Sequence, residues 1–262
     1  MKRHPHLIKP ILAVLAVAFW IAVWWILASK INKPLLLPSP DAVLLRFSEL
    51  IRTAEFWEIT LISLRRILLG ILFAVLIGIP LAALTAKSAI FRILLQPLMT
   101  AIRATPVAAF IILIWLWIGQ EEVPTIITVL VALPVVHKNV EVGITSIDPA
   151  LTEMTRAFRV PLLRRVLRLD LPSVLPSFRA AIENAVGLGW KAGVAAEILV
   201  RPLLAIGRKI SDANYNLEST DLFAWTLTVV LLSLVIEFIA SFLLSRKKQI
   251  RHRIKSETEE SV

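Results

Sequence analysis

The sequence predicts an all-α polytopic membrane protein with six membrane-crossing helices, on three observations. Hydrophobic residues make up 57% of the 262 positions and mean hydropathy is +0.78, beyond the range of an ordinary water-soluble domain. The apolar residues are gathered into six runs, most of them near the roughly twenty residues that cross a hydrocarbon core about 30 Å thick. Lys and Arg, which give a net charge of +10, concentrate in alternate connections between those runs, as the positive-inside rule requires. The positive charge therefore reads as an orientation signal, and no nucleic-acid partner is expected, because a basic footprint needs a soluble face. The chain has no cysteine, which excludes disulfides, thiolate metal sites and a Cys nucleophile. Its fifteen prolines and eight glycines are too few for a disordered or collagen-like chain.

Residues 10–29 form the first run, after Lys2, Arg3 and Lys9. Trp20, Trp24 and Trp25 stand near its end, where a secretory signal would carry small residues for cleavage, so residues 1–35 are read as a retained anchor with its N-terminus in the cytoplasm. Residues 36–63 are expected to be an external linker: LPSPDA breaks the helix, and Ser39 or Asp41 can cap a short amphipathic one after it. Residues 64–245 hold the other five spans. The second, 67–86, contains Pro80, and Lys87 and Arg92 mark an inner loop after it. An interfacial stretch to Arg103 leads to the third, 105–118, with Trp115 and Trp117 at its far end and a following loop, GQEEVP, devoid of Lys and Arg. The fourth, 125–142, is interrupted by Pro134. The fifth, 180–200, carries Glu183, Asn184, Lys191 and Glu197, and the sixth, 222–244, precedes a basic-then-acidic cytoplasmic tail, 246–262. Trp24, Trp25, Trp57, Trp115, Trp117 and Trp225 all fall near the outer interface of this arrangement, where indoles prefer to lie. Arg65, Arg66, Arg208 and Lys209 fall on the outer side, against the trend.

Between the fourth and fifth spans, residues 143–179 form a cytoplasmic loop. ALTEMTRAF reads as a short helix that Asp148 can cap, with Pro149 at its first position. A bend at Arg159 to Pro161 follows. Leu162, Leu163, Val166 and Leu169 then form an apolar stripe opposite Arg164, Arg165 and Arg168, bracketed by Pro161 and Pro172, the pattern of a helix lying along the membrane surface with its arginines toward phosphate or water. Two short helices joined by a bend make a projecting knob, suited to docking something soluble.

At these residues the chain resembles the permease subunits of ATP-binding-cassette importers, whose cytoplasmic loop carries E-A-A, three residues, G, nine residues, I, one residue, L-P. Glu153, Leu169, Leu171 and Pro172 stand in register with that signature; Met154 and Thr155 replace both alanines and Arg159 replaces the glycine. A side chain held in the left-handed conformation that glycine adopts freely costs about 1 kcal/mol. LLPSPDAVL, SLRRILLGILFAVLIGIPLAAL, AIRATPVAAFIILIWLWIG and WKAGVAAEIL are similar to the branch of these permeases that serves nitrate, sulfonate, taurine, bicarbonate and thiamine-precursor importers. The resemblance implies the type I importer fold in a bacterial inner membrane, with both termini cytoplasmic. It also implies a homodimer, two ATPase subunits that bind ATP and Mg outside this chain, and an external solute-binding protein. The implied docking residues are Glu153, Met154, Arg156, Ala157, Phe158, Arg159, Pro161, Leu171 and Pro172.

The chain contains no G-x-x-x-x-G-K-[ST] loop; GLGWKAG lacks both the spacing and the hydroxyl residue after Lys191. No catalytic, cofactor or metal site is expected, and ATP would be hydrolysed on a separate chain. Polar groups in an apolar span are costly unless they face protein or water. Glu183, Asn184, Lys191 and Glu197 are therefore read either as a pathway or gate lining or as structural ion pairs and helix-end contacts. Thr105, Pro106 and Pro80 mark kinks, and unwound helix can line a path. His137 reads as a satisfied interfacial histidine. Two other classes compete: an ion-driven secondary transporter, for which no inverted internal repeat is evident, and an intramembrane enzyme using Glu183, Glu197 and His137, for which H-E-x-x-H and G-x-S-x-G are both lacking.

Overall fold

A computed structural model describes residues 5–245, and the expectations resting on Lys2, Arg3 and the tail 246–262 lie outside them. Eleven α-helices are found among the described residues: α1 (Pro5–Ile31), α2 (Pro40–Leu50), α3 (Ala54–Lys87), α4 (Ala89–Ala104), α5 (Val107–Trp115), α6 (Val123–Thr145), α7 (Pro149–Ala157), α8 (Leu162–Arg165), α9 (Leu171–Val200), α10 (Ile206–Tyr215) and α11 (Ser219–Ser245). The all-α membrane class is as the composition predicts.

The scaffold is a three-helix unit of α3, α6 and α9. Each presents small or β-branched residues to the others, so the backbones approach closely, as helices do where lipid removes any hydrophobic drive for association. Ala74 and Ala82 of α3, Ala132, Val136 and Val140 of α6, and Ala181 and Ala185 of α9 form one buried cluster. Ile67, Ile71, Val186 and Trp190 join Phe56, Ile206 and Trp225 in a second. Gly193 shows how tight the contact is. A Cβ there would stand 2.6 Å from Ile67 Cγ1 and 2.7 Å from Thr128 Oγ1, so only glycine lets the three helices meet.

Four helices are long and apolar enough to cross a bilayer: α1, α3, α6 and α11. The bent pair α4 and α5, which turns by 99° at Thr105–Pro106, makes up to five. The expected count of six needs two corrections. The third span is not a single helix: α5 has nine residues, about 13 Å of rise, and closes the crossing only together with α4. The fifth apolar run lies within the 30 residues of α9, whose Arg179, Glu183, Lys191 and Glu197 interrupt its apolarity. The second span also starts earlier than expected. α3 is helical from Ala54, where Thr53 accepts the Phe56 N–H at 3.2 Å, and its 34 residues rise about 50 Å, well past the hydrocarbon thickness.

α2 begins, as LPSPDA suggests, with Ser39 at the cap position and Pro40 after it, although neither Ser39 nor Asp41 makes a capping hydrogen bond. Arg46 of α2 binds both carboxylate oxygens of Asp221 on α11, the second at 3.0 Å, and Glu49 at 2.9 Å. The Asp221 hydrogen bonds and then those of Glu49 raise the guanidinium's already high pKa further. Of the cations that the sequence reading places on the outer side against the charge trend, three are paired: Arg66 with Glu121, Arg208 with Asp212 at 3.5 Å, and Lys209 with Glu55 at 2.6 Å; Arg201 also pairs with Asp212. Their charge is neutralised locally, so it weighs little in orientation; Arg65 is the exposed exception. Of the tryptophans, Trp25, Trp57, Trp115 and Trp117 are exposed, and Trp24 donates to Pro38 O at 3.1 Å. Trp225 is instead buried and stacked on Phe56, with ring centres 5.2 Å apart, so it serves packing and not an exposed belt.

Candidate functional site

The segment between α6 and α9 is built from its capping chemistry. Asp148 accepts the Ala150 N–H at 2.8 Å, Pro149 occupies the first helical position, and α7 follows, as the sequence predicts. α7 ends in a Schellman arrangement: Val160 N–H reaches Thr155 O at 2.9 Å and Arg159 N–H reaches Arg156 O at 3.0 Å. The residue that must turn left-handed in that motif is Arg159, with φ of +48°. It stands where the permease signature has glycine, and the backbone adopts the glycine conformation regardless.

Thr155 is buried, its hydroxyl donating to Thr152 O at 2.8 Å within α7, while Glu153, Arg156, Ala157 and Arg159 are exposed. Leu151, Met154 and Phe158, at helical spacing, form an apolar ridge without cover in this chain; Phe158 is 79% exposed. Among the described residues no ion pair engages Glu153, Arg156 or Arg159. The face is thus apolar at its centre and charged around it, the make-up of a protein-docking surface.

The arginine-bearing half differs from expectation. Pro161 starts α8, but Pro172 does not close it. A π-helical turn, Val166–Asp170, carries the helix straight into α9. A proline ring crowds the carbonyl four residues before it and offers no N–H, and a widened turn just upstream relieves both. Leu171 and Pro172 therefore lie in the first turn of α9, on the far arm of the bend from Glu153. Leu162 and Leu163 are each 72% exposed; Arg164 and Arg168 on the other side are exposed too, while Leu169 is half-buried.

The polar residues of the fifth run separate into two groups. Glu183, Asn184 and Lys191 are exposed along one side of α9, and Glu183, Gly187 and Lys191 succeed one another at four-residue steps. Among the described residues none of the three charged or amide groups has an ion-pair or hydrogen-bond partner. Glu237 of α11, in the middle of an apolar helix, joins this stripe: Gly187 has no side chain, and a Cβ there would stand 3.4 Å from Glu237 Oε1. Sequence reading missed Glu237, although a lone carboxylate in an apolar span is a signal.

Glu197 belongs elsewhere. It is fully buried, and its Oε2 accepts from Ser63 Oγ at 2.9 Å and Gly207 N–H at 3.2 Å, while Oε1 faces Arg66 Nη1 at 3.8 Å. The anticipated alternative of an ion pair thus describes Glu197, with Arg66 and not Lys191 as its partner. Thr105 closes α4, with its hydroxyl donating to Ala101 O at 2.8 Å, and exposed Pro106 opens α5, which packs on α9 through Ile111 with Ala192 and Ala196. His137 is buried on α6 with Nε2 3.1 Å from Thr85 Oγ1. Thr85 directs its own proton to Ala82 O at 3.0 Å, so its oxygen is free to accept from the imidazole. That is a satisfied histidine.

The chain is similar to known membrane-transport proteins. Residues 74–249 match the family described as binding-protein-dependent transport system inner membrane component. The chain is 29% identical over 78% of its length, and 74% of the relative's, to a Bacillus subtilis (strain 168) protein named as an aliphatic sulfonates transport permease, SsuC. It is 25% identical to the taurine transport system permease protein TauC of Escherichia coli (strain K12), covering 86% and 84% of the two chains. It is 29% identical to the nitrate import permease protein NrtB of Leptolyngbya laminosa, covering 73% and 68%.

Proposed function

Since the chain belongs to the family of binding-protein-dependent transport system inner membrane components, we propose that it is the non-catalytic, membrane-crossing subunit of an ATP-driven importer in a bacterial inner membrane. The observation that carries this reading is α7. Its exposed Leu151, Met154 and Phe158 offer a ridge to a soluble partner, beside the left-handed turn at Arg159. That partner is an ATPase subunit, one on each of two permease copies, with ATP and Mg bound there. Glu153 to Arg159 seat in it, and Pro161, Leu171 and Pro172 set the angle at which α9 receives the motion. Closure of the paired ATPases moves the two knobs together and rocks α3, α6 and α9 between outward- and inward-open arrangements.

The path lies between the two copies, along Glu183, Asn184 and Lys191 of α9, with the break at Thr105–Pro106 beside it. An external binding protein delivers the solute. The relatives named for sulfonates, taurine and nitrate favour a small solute with an oxyanion group, for which Lys191 is the cationic contact. Copurification tests the reading: the tagged chain should retain an ATPase subunit encoded beside it, and the pair in proteoliposomes should hydrolyse ATP faster with binding protein and solute. Uptake driven by an ion gradient without any ATPase would refute it in favour of a secondary transporter.

A further inference from the structure

At the end of the scaffold that bears α7, α3, α4 and α6 enclose a cavity of about 300 Å³ that the proposed transport path does not use. Arg92, Gln96 and Arg103 enter it from one face of α4, at spacings of four and seven residues, and Lys138 and Glu141 enter from α6. Its charge is unbalanced. Glu141, the one carboxylate in its wall, is shared between Arg92 at 3.7 Å and Lys138 at 3.3 Å. Arg103 has no carboxylate partner among the described residues and donates only its Nε, to Met99 O at 3.3 Å. Among the described residues the Gln96 amide, which lines the cavity, makes no side-chain hydrogen bond. The floor is formed by the Thr85 and His137 pair.

The surroundings favour a ligand at the membrane surface. The other side of α4 exposes Ile90, Ile93, Leu94 and Leu98, so the helix lies with an apolar side toward acyl chains and its cations turned inward over the cavity. Three cations against one carboxylate, at a low-dielectric boundary, attract an anion. Two guanidinium forks, an ammonium and an amide suit the several oxygens of a phosphoryl group better than a single carboxylate.

We infer that this cavity is a binding site for a phosphoryl anion, either an anionic lipid headgroup or free phosphate, which bridges α4 to the last turns of α6. α6 ends at Thr145, three residues before the Asp148 cap of α7. An occupant would therefore stiffen the base of the docking segment.

Protection of Lys138 tests the site without relying on transport. The full chain with its ATPase is placed in phosphatidylcholine nanodiscs in phosphate-free buffer, and lysine acetylation is followed by mass spectrometry. One arm adds inorganic phosphate; the other replaces part of the lipid with phosphatidylglycerol. A several-fold slowing at Lys138, with Lys87 unchanged, is expected in at least one arm. Slowing with phosphatidylglycerol alone identifies a lipid headgroup, and slowing with phosphate identifies the free anion. Arg103→Gln should abolish the protection and Arg103→Lys should retain part of it; Arg103 is exposed, so neither change threatens folding. Equal acetylation in all conditions, an equal change at Lys87, or undiminished protection in both Arg103→Gln and Arg92→Gln overturns the site.

Discussion

Ser63 and Glu197 are joined by a 2.9 Å hydrogen bond between helices 134 positions apart, and the same serine oxygen accepts the Ile206 N–H at 2.9 Å. One carboxylate on α9 thereby ties α3 at Ser63 to the start of α10, where it also accepts the Gly207 N–H. Arg66 completes the arrangement, donating to Leu204 O at 2.8 Å and pairing with Glu121, whose other oxygen accepts the Leu203 N–H at 2.8 Å. Breaking such a network by removing one partner leaves buried donors unmet and costs about 3 kcal/mol or more, whereas an amide of the same shape keeps some of the contacts. Glu197→Ala should lower the melting temperature in detergent sharply and Glu197→Gln markedly less. Equal melting of Glu197→Ala and wild type would show that the network does not hold α10.

Arg159 gives a sharper test of backbone chemistry. Its φ of +48° costs a non-glycine residue about 1 kcal/mol, but glycine adds a comparable entropy to the unfolded chain. Arg159→Gly should therefore change stability by less than about 1 kcal/mol and keep the ATPase bound. Arg159→Val, β-branched and ill-suited to positive φ, should weaken ATPase retention in a pull-down. Identical retention for the two variants would mean that the turn does not set the docking geometry.

Local signals made much of this legible from sequence. Asp148 and Pro149 specify the start of α7, because caps are read within a few residues. The apolar runs locate α1, α3, α6 and α11 for the same reason. What escaped depends on partners distant in the chain. Nothing near Glu197 indicates that Ser63 and Arg66 will meet it, so the sequence reading sets it in one group with Lys191, six residues away, while packing sends them to opposite fates. The third run reads as one span because Leu116 to Ile118 are as apolar as the helix they leave; only the 99° turn beside Pro106 shows that the crossing is shared with α4. Arg66 and Arg208 look anomalous in sequence until Glu121 and Asp212 are seen to neutralise them.

Gly193 permits a packing test on the scaffold itself. A methyl group added there would overlap Ile67 Cγ1 and Thr128 Oγ1, neither of which has room to retreat within the α3, α6 and α9 contact. Overpacking of this sort costs about 1–3 kcal/mol. Gly193→Ala should lower the melting temperature and reduce solute uptake, and shortening the neighbour in Gly193→Ala/Ile67→Ala should restore part of both. Failure of the second change to rescue the first would place the damage elsewhere.

Lys191 decides whether the exposed stripe on α9 carries solute. An ammonium in an apolar span is expensive to leave unpaired, and among the described residues Lys191 has no ion-pair partner, so it needs water, a second copy or an anion before it. Glu183 stands two turns away on the same side, and Glu237 rests over Gly187 between them. If the stripe lines the path, Lys191→Met should lower uptake of an oxyanion solute at least about tenfold, the loss of one charge-assisted contact of roughly 1.5–3 kcal/mol. Lys191→Arg should retain most of the uptake, and ATPase binding and melting temperature should stay close to wild type in both. If Lys191 is instead a structural partner of a carboxylate on the second copy, Lys191→Met will dissociate the dimer, and Lys191→Met/Glu237→Gln will restore it. Dimer mass measured in detergent alongside uptake in proteoliposomes separates the two, and normal uptake by Lys191→Met removes this residue from the path.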